Sequence, residues 1–120
     1  NYKSFWCAEK VKSTMLEFEL KNGRKPVVAM MGLAFKPNID DLRESPAKNI
    51  VGKVLQICNN ADILIVEPNV SENKQFKLTP YKEAFDKADI VVMLTAHNQF
   101  KELPYDESKI ILDFCGIYKK

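Results

Sequence analysis

Glycine is scarce in this chain. There are four in 120 residues, and only Gly32 stands where an apolar run gives way to a long polar stretch. The dinucleotide fingerprint GxGxxG needs three glycines, for the tight turn, the approach of the pyrophosphate and the packing of helix on strand, and a P-loop needs a glycine-rich cradle of its own. The sequence contains neither. Histidine occurs once and cysteine three times, as Cys7, Cys58 and Cys115, with no CxxC spacing. That set does not make a structural zinc site, and no metal is expected. An odd number of widely spaced cysteines fits reduced thiols and a cytoplasmic protein. No apolar run approaches the roughly 20 residues of a membrane span, and no secretory signal peptide is recognised. Net charge is only +2, with adjacent basic residues confined to Arg24-Lys25 and Lys119-Lys120. Nothing in that balance calls for a nucleic-acid or membrane partner.

What is present belongs to one soluble globular domain, with 46% hydrophobic and 28% charged residues. The chain opens on Asn1-Tyr2 in place of Met, which reads as a piece of a longer or processed protein. Residues 2 to about 21 carry Phe5, Ala8, Val11 or Lys12, Met15 and Phe18 at helical steps, with Trp6, Leu16 and Leu20 widening the apolar face. Asn22-Gly23 is a helix stop. Four short aliphatic runs follow: Val27–Met31, Ile63–Val66, Ile90–Leu94 and Ile110–Leu112. Their near-continuous apolar character suits strands covered on both faces. Helical patterns separate them, at Ala47–Cys58, Tyr81–Lys87 and one turn at Asn98–Glu102. Alternating strands and helices predict an α/β domain with a short parallel sheet, preceded by an N-terminal helix. That helix is not needed as a crossover. It either packs on the sheet or reaches a domain or subunit outside this chain.

The most informative stretch is Gly32-Leu33-Ala34-Phe35-Lys36-Pro37-Asn38-Ile39-Asp40-Asp41-Leu42-Arg43-Glu44-Ser45-Pro46-Ala47. It leaves the first strand and opens a helix, so it lies at the carboxyl edge of the sheet, where ligands of open α/β folds collect. Ser45-Pro46 is a helix start, with the Ser hydroxyl as cap and Pro in the first helical position. Helix N-termini bind phosphate, and Lys36 adds an ammonium nearby. Yet Lys36 and Arg43 are outnumbered by Asp40, Asp41 and Glu44. A bare phosphate trap is not net acidic, so some of these acids shape the loop, hold Arg43 or accept from ribose hydroxyls. Lys36 and Arg43 read as functional, and Asp40 and Asp41 as loop-shaping.

The run GLAFKPNIDDLRESPA resembles the C-terminal domain of the UDP-glucose/GDP-mannose dehydrogenase family. Val66-Glu67-Pro68-Asn69, Ala88-Asp89-Ile90-Val91-Val92-Met93-Leu94 and His97-Asn98-Gln99-Phe100-Lys101 look most like the branch acting on UDP-N-acetyl-D-mannosamine. The resemblance covers nearly the whole chain. It implies a Rossmann-like three-layer domain over residues 23–120, with residues 1–22 as the helix that ends the central-domain connector. It also implies an NAD-dependent oxidation of the sugar C6 hydroxyl to a carboxylate. Lys36 matches the family lysine that contacts the nucleotide-sugar diphosphate, Phe35 falls near the uridine side, and Arg43 matches the arginine that reaches towards NAD. NAD itself is expected to be bound mainly by a domain absent from this chain. The implied partners are a UDP-sugar, the NAD-binding and central domains of the same full-length protein, and a second copy in a full-length homodimer. The family's nucleophilic cysteine lies outside the segment, so no catalytic residue is assigned here and the piece alone is expected to be inactive. After the last strand the family usually carries Asp, any residue, then a basic residue. This chain reads Asp113-Phe114-Cys115-Gly116, with Cys115 in place of the base.

Other strand ends carry candidates. Glu67 stands where dinucleotide folds place an acid on a ribose hydroxyl, although Glu67-Pro68 is equally a turn. His97 follows the third strand with no evident carboxylate partner and reads as a loop or capping residue. Asp113 reads as structural, and Cys7 and Cys58 as small buried hydrophobes. Two other function classes fit the chain. One is a stand-alone nucleotide-binding or regulatory module, opposed in its receiver-like form by the place of Asp40 and Asp41 well past the first strand and by the lack of a phosphorylatable aspartate at Leu94-Thr95. The other is an oligomerisation unit, which leaves Lys36 and Arg43 without a task.

Overall fold

The four aliphatic runs pair side by side, all parallel, in the order β2-β1-β3-β4. The computed structural model describes residues 2–33, 46–57, 62–70 and 77–118. Along the chain these form α1 (Tyr2–Asn22), β1 (Val27–Met31), α2 (Pro46–Ile57), β2 (Asp62–Val66), α3 (Tyr81–Lys87), β3 (Ile90–Met93), α4 (Asn98–Lys101) and β4 (Ile110–Asp113). Each matches a sequence prediction to within a residue or two. Element type is set by periodicity, whereas the last residue of an element is set by local hydrogen bonding. Leu94 illustrates the point: it lies past β3, yet its N–H still donates to the Met31 carbonyl at 3.0 Å. Cys58 lies outside the described residues.

The sheet divides the core into two layers because alternate strand residues face opposite sides. On one side Val28, Met30, Ile65, Ile90 and Val92 pack with Ile50, Val51 and Val54 of α2 and with Cys7, Ala8, Val11 and Met15 of α1. On the other, Ala29, Met31, Val66, Val91 and Met93 meet Ala84 and Phe85 of α3 and Phe100 of α4. This is the expected three-layer α/β arrangement. A short pairing of Leu78 alongside Ile65, with Thr79 N–H donating to the Ile65 carbonyl at 2.8 Å, covers part of the outer edge of β2. It satisfies groups that an open edge leaves unpaired.

Helix α1 packs on the first layer of the core. Its buried face is narrower than the sequence pattern implies. Cys7, Ala8, Val11 and Met15 are buried, but Phe5, Trp6, Leu16 and Leu20 are exposed, Leu20 by 88%. On a helix of 3.6 residues per turn, Phe5, Leu16 and Leu20 fall opposite the Val11 face. A helix can bury only the stripe that its neighbours cover. Gly23 ends α1 with φ +68°, its N–H donating to the Glu19 carbonyl at 2.9 Å. Just beyond, the Arg24 guanidinium grips both carboxylate oxygens of Asp89 at 2.9 Å, and Asp89 also accepts the Val27 N–H. This ties the end of α1 to the amino edges of β1 and β3.

Candidate functional site

The carboxyl ends of β1, β2 and β3 converge on Gly32 and Leu33, the point from which the charged stretch departs. Phe35, Lys36 and Arg43 lie outside the described residues, as do Asp40, Asp41, Glu44 and Ser45. Gly32 and Leu33 on one side and Pro46, the first residue of α2, on the other bracket that stretch.

Gly32 has φ +109°, and a Cβ there would stand 2.7 Å from the Cβ of Thr95 and 2.8 Å from its Oγ1. The space that glycine leaves is thus filled by Thr95. In a dinucleotide cradle, the corresponding space admits the pyrophosphate. The Gly32 N–H donates to the Val66 carbonyl, while Leu94 and Thr95 N–H groups donate to Met31. These bonds pair the backbone where the carboxyl ends of β1, β2 and β3 meet.

Glu67 follows β2, and its carboxylate is 3% exposed as part of its residue. Oε1 accepts the Leu33 N–H at 2.9 Å, Oε2 accepts the Asn69 N–H at 3.0 Å, and His97 Nε2 lies 3.0 Å from Oε1. These contacts occupy the group that was a candidate for a ribose hydroxyl. Burial raises the pKa of this carboxyl, but the His97 contact and the two backbone donors outweigh it and hold the group below the usual carboxylate range.

His97 is fully buried. It is the N-cap residue of α4, with no side-chain capping bond there, and the expectation that it lacks a carboxylate partner is corrected. Its partner is Glu67, thirty positions away in sequence. Nδ1 faces Asn69 Nδ2 at 3.2 Å, and Gln99 Nε2 donates to Asn69 Oδ1 at 3.0 Å. The Phe100 ring meets the imidazole edge-on at 5.4 Å. Sequence reasoning missed this network because nothing local links the segments. The available signal was an acid and a histidine at the ends of two strands that both neighbour β1.

At the last strand, Asp113 accepts the N–H groups of Ile117 and Tyr118, at 2.9 and 3.0 Å, which supports its structural reading. The Cys115 thiol sits 3.8 Å from Asp113 Oδ1. Burial, reinforced by that carboxylate, pushes its pKa up to about 11. Cys115 therefore stays a neutral thiol near neutral pH. No described helix is long and apolar enough to cross a membrane.

Comparison with known proteins adds to this geometry. Residues 29–120 match the sequence profile of the UDP-glucose/GDP-mannose dehydrogenase family, UDP binding domain. A UDP-N-acetyl-D-mannosamine dehydrogenase of Campylobacter jejuni is 40% identical over 104 residues, covering 81% of this chain and 25% of the relative. The protein of the same name from Escherichia coli K12 is 37% identical over 130 residues, covering 99% and 30%. Among solved structures, the UDP-N-acetyl-mannosamine dehydrogenase Cap5O from S. aureus superposes with a TM-score of 0.71 at 20% identity, over 96% of this chain and 31% of that one. The chain therefore spans 25–30% of the length of the two curated relatives.

Proposed function

The chain belongs to the UDP-glucose/GDP-mannose dehydrogenase family as its UDP-binding domain, and from that premise we propose that it holds the nucleotide end of a UDP-sugar for a longer, NAD-dependent 6-dehydrogenase acting on UDP-N-acetylmannosamine. Lys36 contacts the diphosphate, Phe35 lies at the uridine, and Arg43 reaches towards the cofactor. Residues 1–22 form the connector to the central domain, and residues 23–120 form the nucleotide-sugar-binding domain. The observation that carries this reading is the run GLAFKPNIDDLRESPA, which leaves the sheet at its carboxyl edge between β1 and α2.

The cofactor is held mainly by other parts of the full-length protein, which fits a sequence without the GxGxxG fingerprint. Holding the nucleotide lets binding energy remote from C6 align the sugar for oxidation elsewhere. Calorimetric titration of this chain with UDP tests the proposal. Saturable binding is expected, and Lys36→Ala is expected to abolish it. The chain alone, given NAD and the UDP-sugar, is expected to form no NADH. Absence of UDP binding at millimolar concentration overturns the reading.

A further inference from the structure

The network beneath the carboxyl edge has a direction. With the His97 proton on Nε2, Gln99 donates to Asn69, Asn69 to His97, and His97 to Glu67. Every one of these contacts then pairs a donor with an acceptor, and the series ends on a carboxylate that also accepts two backbone N–H groups. Charge-assisted bonds in a dry setting are strong and resist displacement. Stability alone is a weak reason to bury such a pair, since apolar residues of similar size often serve equally well. The place where the network acts is more telling.

Its contact with the segment that follows β1 is the N–H of Leu33. Leu33 is itself fully buried in the first core layer, and Gly32 beside it is wedged against Thr95. Backbone and side chain are thus both fixed at the point of departure. Glu67 and His97 are too buried to touch a ligand themselves.

We propose that Glu67 and His97 are positioning residues for nucleotide binding, acting through the Leu33 N–H on the backbone just ahead of the charged stretch. This rests on the reading of Phe35 and Lys36 as UDP contacts. UDP affinity is measured by calorimetry on this chain and on His97→Ala, His97→Gln and Asn69→Ala, together with thermal melting and the NMR resonance and hydrogen exchange of the Leu33 amide. His97→Ala is expected to weaken UDP binding about tenfold or more, the scale on which loss of a supporting residue degrades a site. Asn69→Ala weakens it less. His97→Gln keeps an amide donor within reach of Glu67 and recovers affinity to within about threefold of the parent. The Leu33 amide loses protection in the Ala variant and regains it in the Gln variant. Folded variants that melt lower but bind UDP as the parent does overturn the proposal alone, leaving the network a purely structural one. If the parent binds no UDP, the functional reading and this inference fall together.

Discussion

Gly32 concentrates two constraints in one residue. Its φ of +109° is disfavoured for any side-chain-bearing residue, and the missing side chain makes room for Thr95. Gly23 carries only the first constraint: φ is +68°, but nothing lies within 4 Å of an added Cβ. The two glycines form an internal comparison. Gly23→Ala should cost about 1 kcal/mol from backbone strain alone, whereas Gly32→Ala should cost about 2–4 kcal/mol because overpacking is added. Urea denaturation of the two variants checks the order. The position of Gly32 at a strand end was legible in the sequence. Its neighbour Thr95 was not, because the contact crosses from β1 to the end of β3 and depends on strand order.

Among the elements, α1 separates what is amphipathic from what is buried. Its sequence offers apolar residues around much of the circumference, yet only the Cys7, Ala8, Val11 and Met15 side is covered by α2 and the sheet. Met15→Ala should destabilise the chain by about 2–5 kcal/mol, the usual cost of emptying a core site. Leu20→Ala, at a position 88% exposed, should stay within about 0.5 kcal/mol. Thermal melts of the isolated chain distinguish the two. Helical periodicity predicted the element and its end at Gly23, but not which apolar stripe has a neighbour.

At the scale of the molecule, a carboxylate braces each edge of the sheet: the buried Glu67 at the carboxyl edge and the half-buried Asp89 at the amino edge. The Arg24 hydrogen bonds, set against some desolvation and helped by the Val27 N–H, hold Asp89 below its ordinary 3.8. Glu67 sits below its ordinary 4.5. A carboxyl whose folded pKa is depressed adds stability above its unfolded pKa and loses it as pH falls through the folded one. Stability should therefore hold near neutrality and decline as pH drops below 4.5. Glu67→Gln and Asp89→Asn should each flatten that decline, at the expense of stability at neutral pH. Urea midpoints measured across the acid range read both effects.

The class of the fold is written in the order of apolar and polar residues. Near-continuous aliphatic runs mark strands buried on both faces, and the helical spacing between them forces parallel crossovers. The sequence also marked the charged stretch after Gly32 as the candidate working part of the chain by its composition and by its resemblance to a family. Which strand ends meet emerges only in three dimensions. The order β2-β1-β3-β4 sets Glu67 and His97 on either side of Leu33 and makes one buried network of them. Periodicity reports how one segment meets its surroundings, whereas pairing between segments distant in sequence depends on strand order and register, which no local pattern encodes.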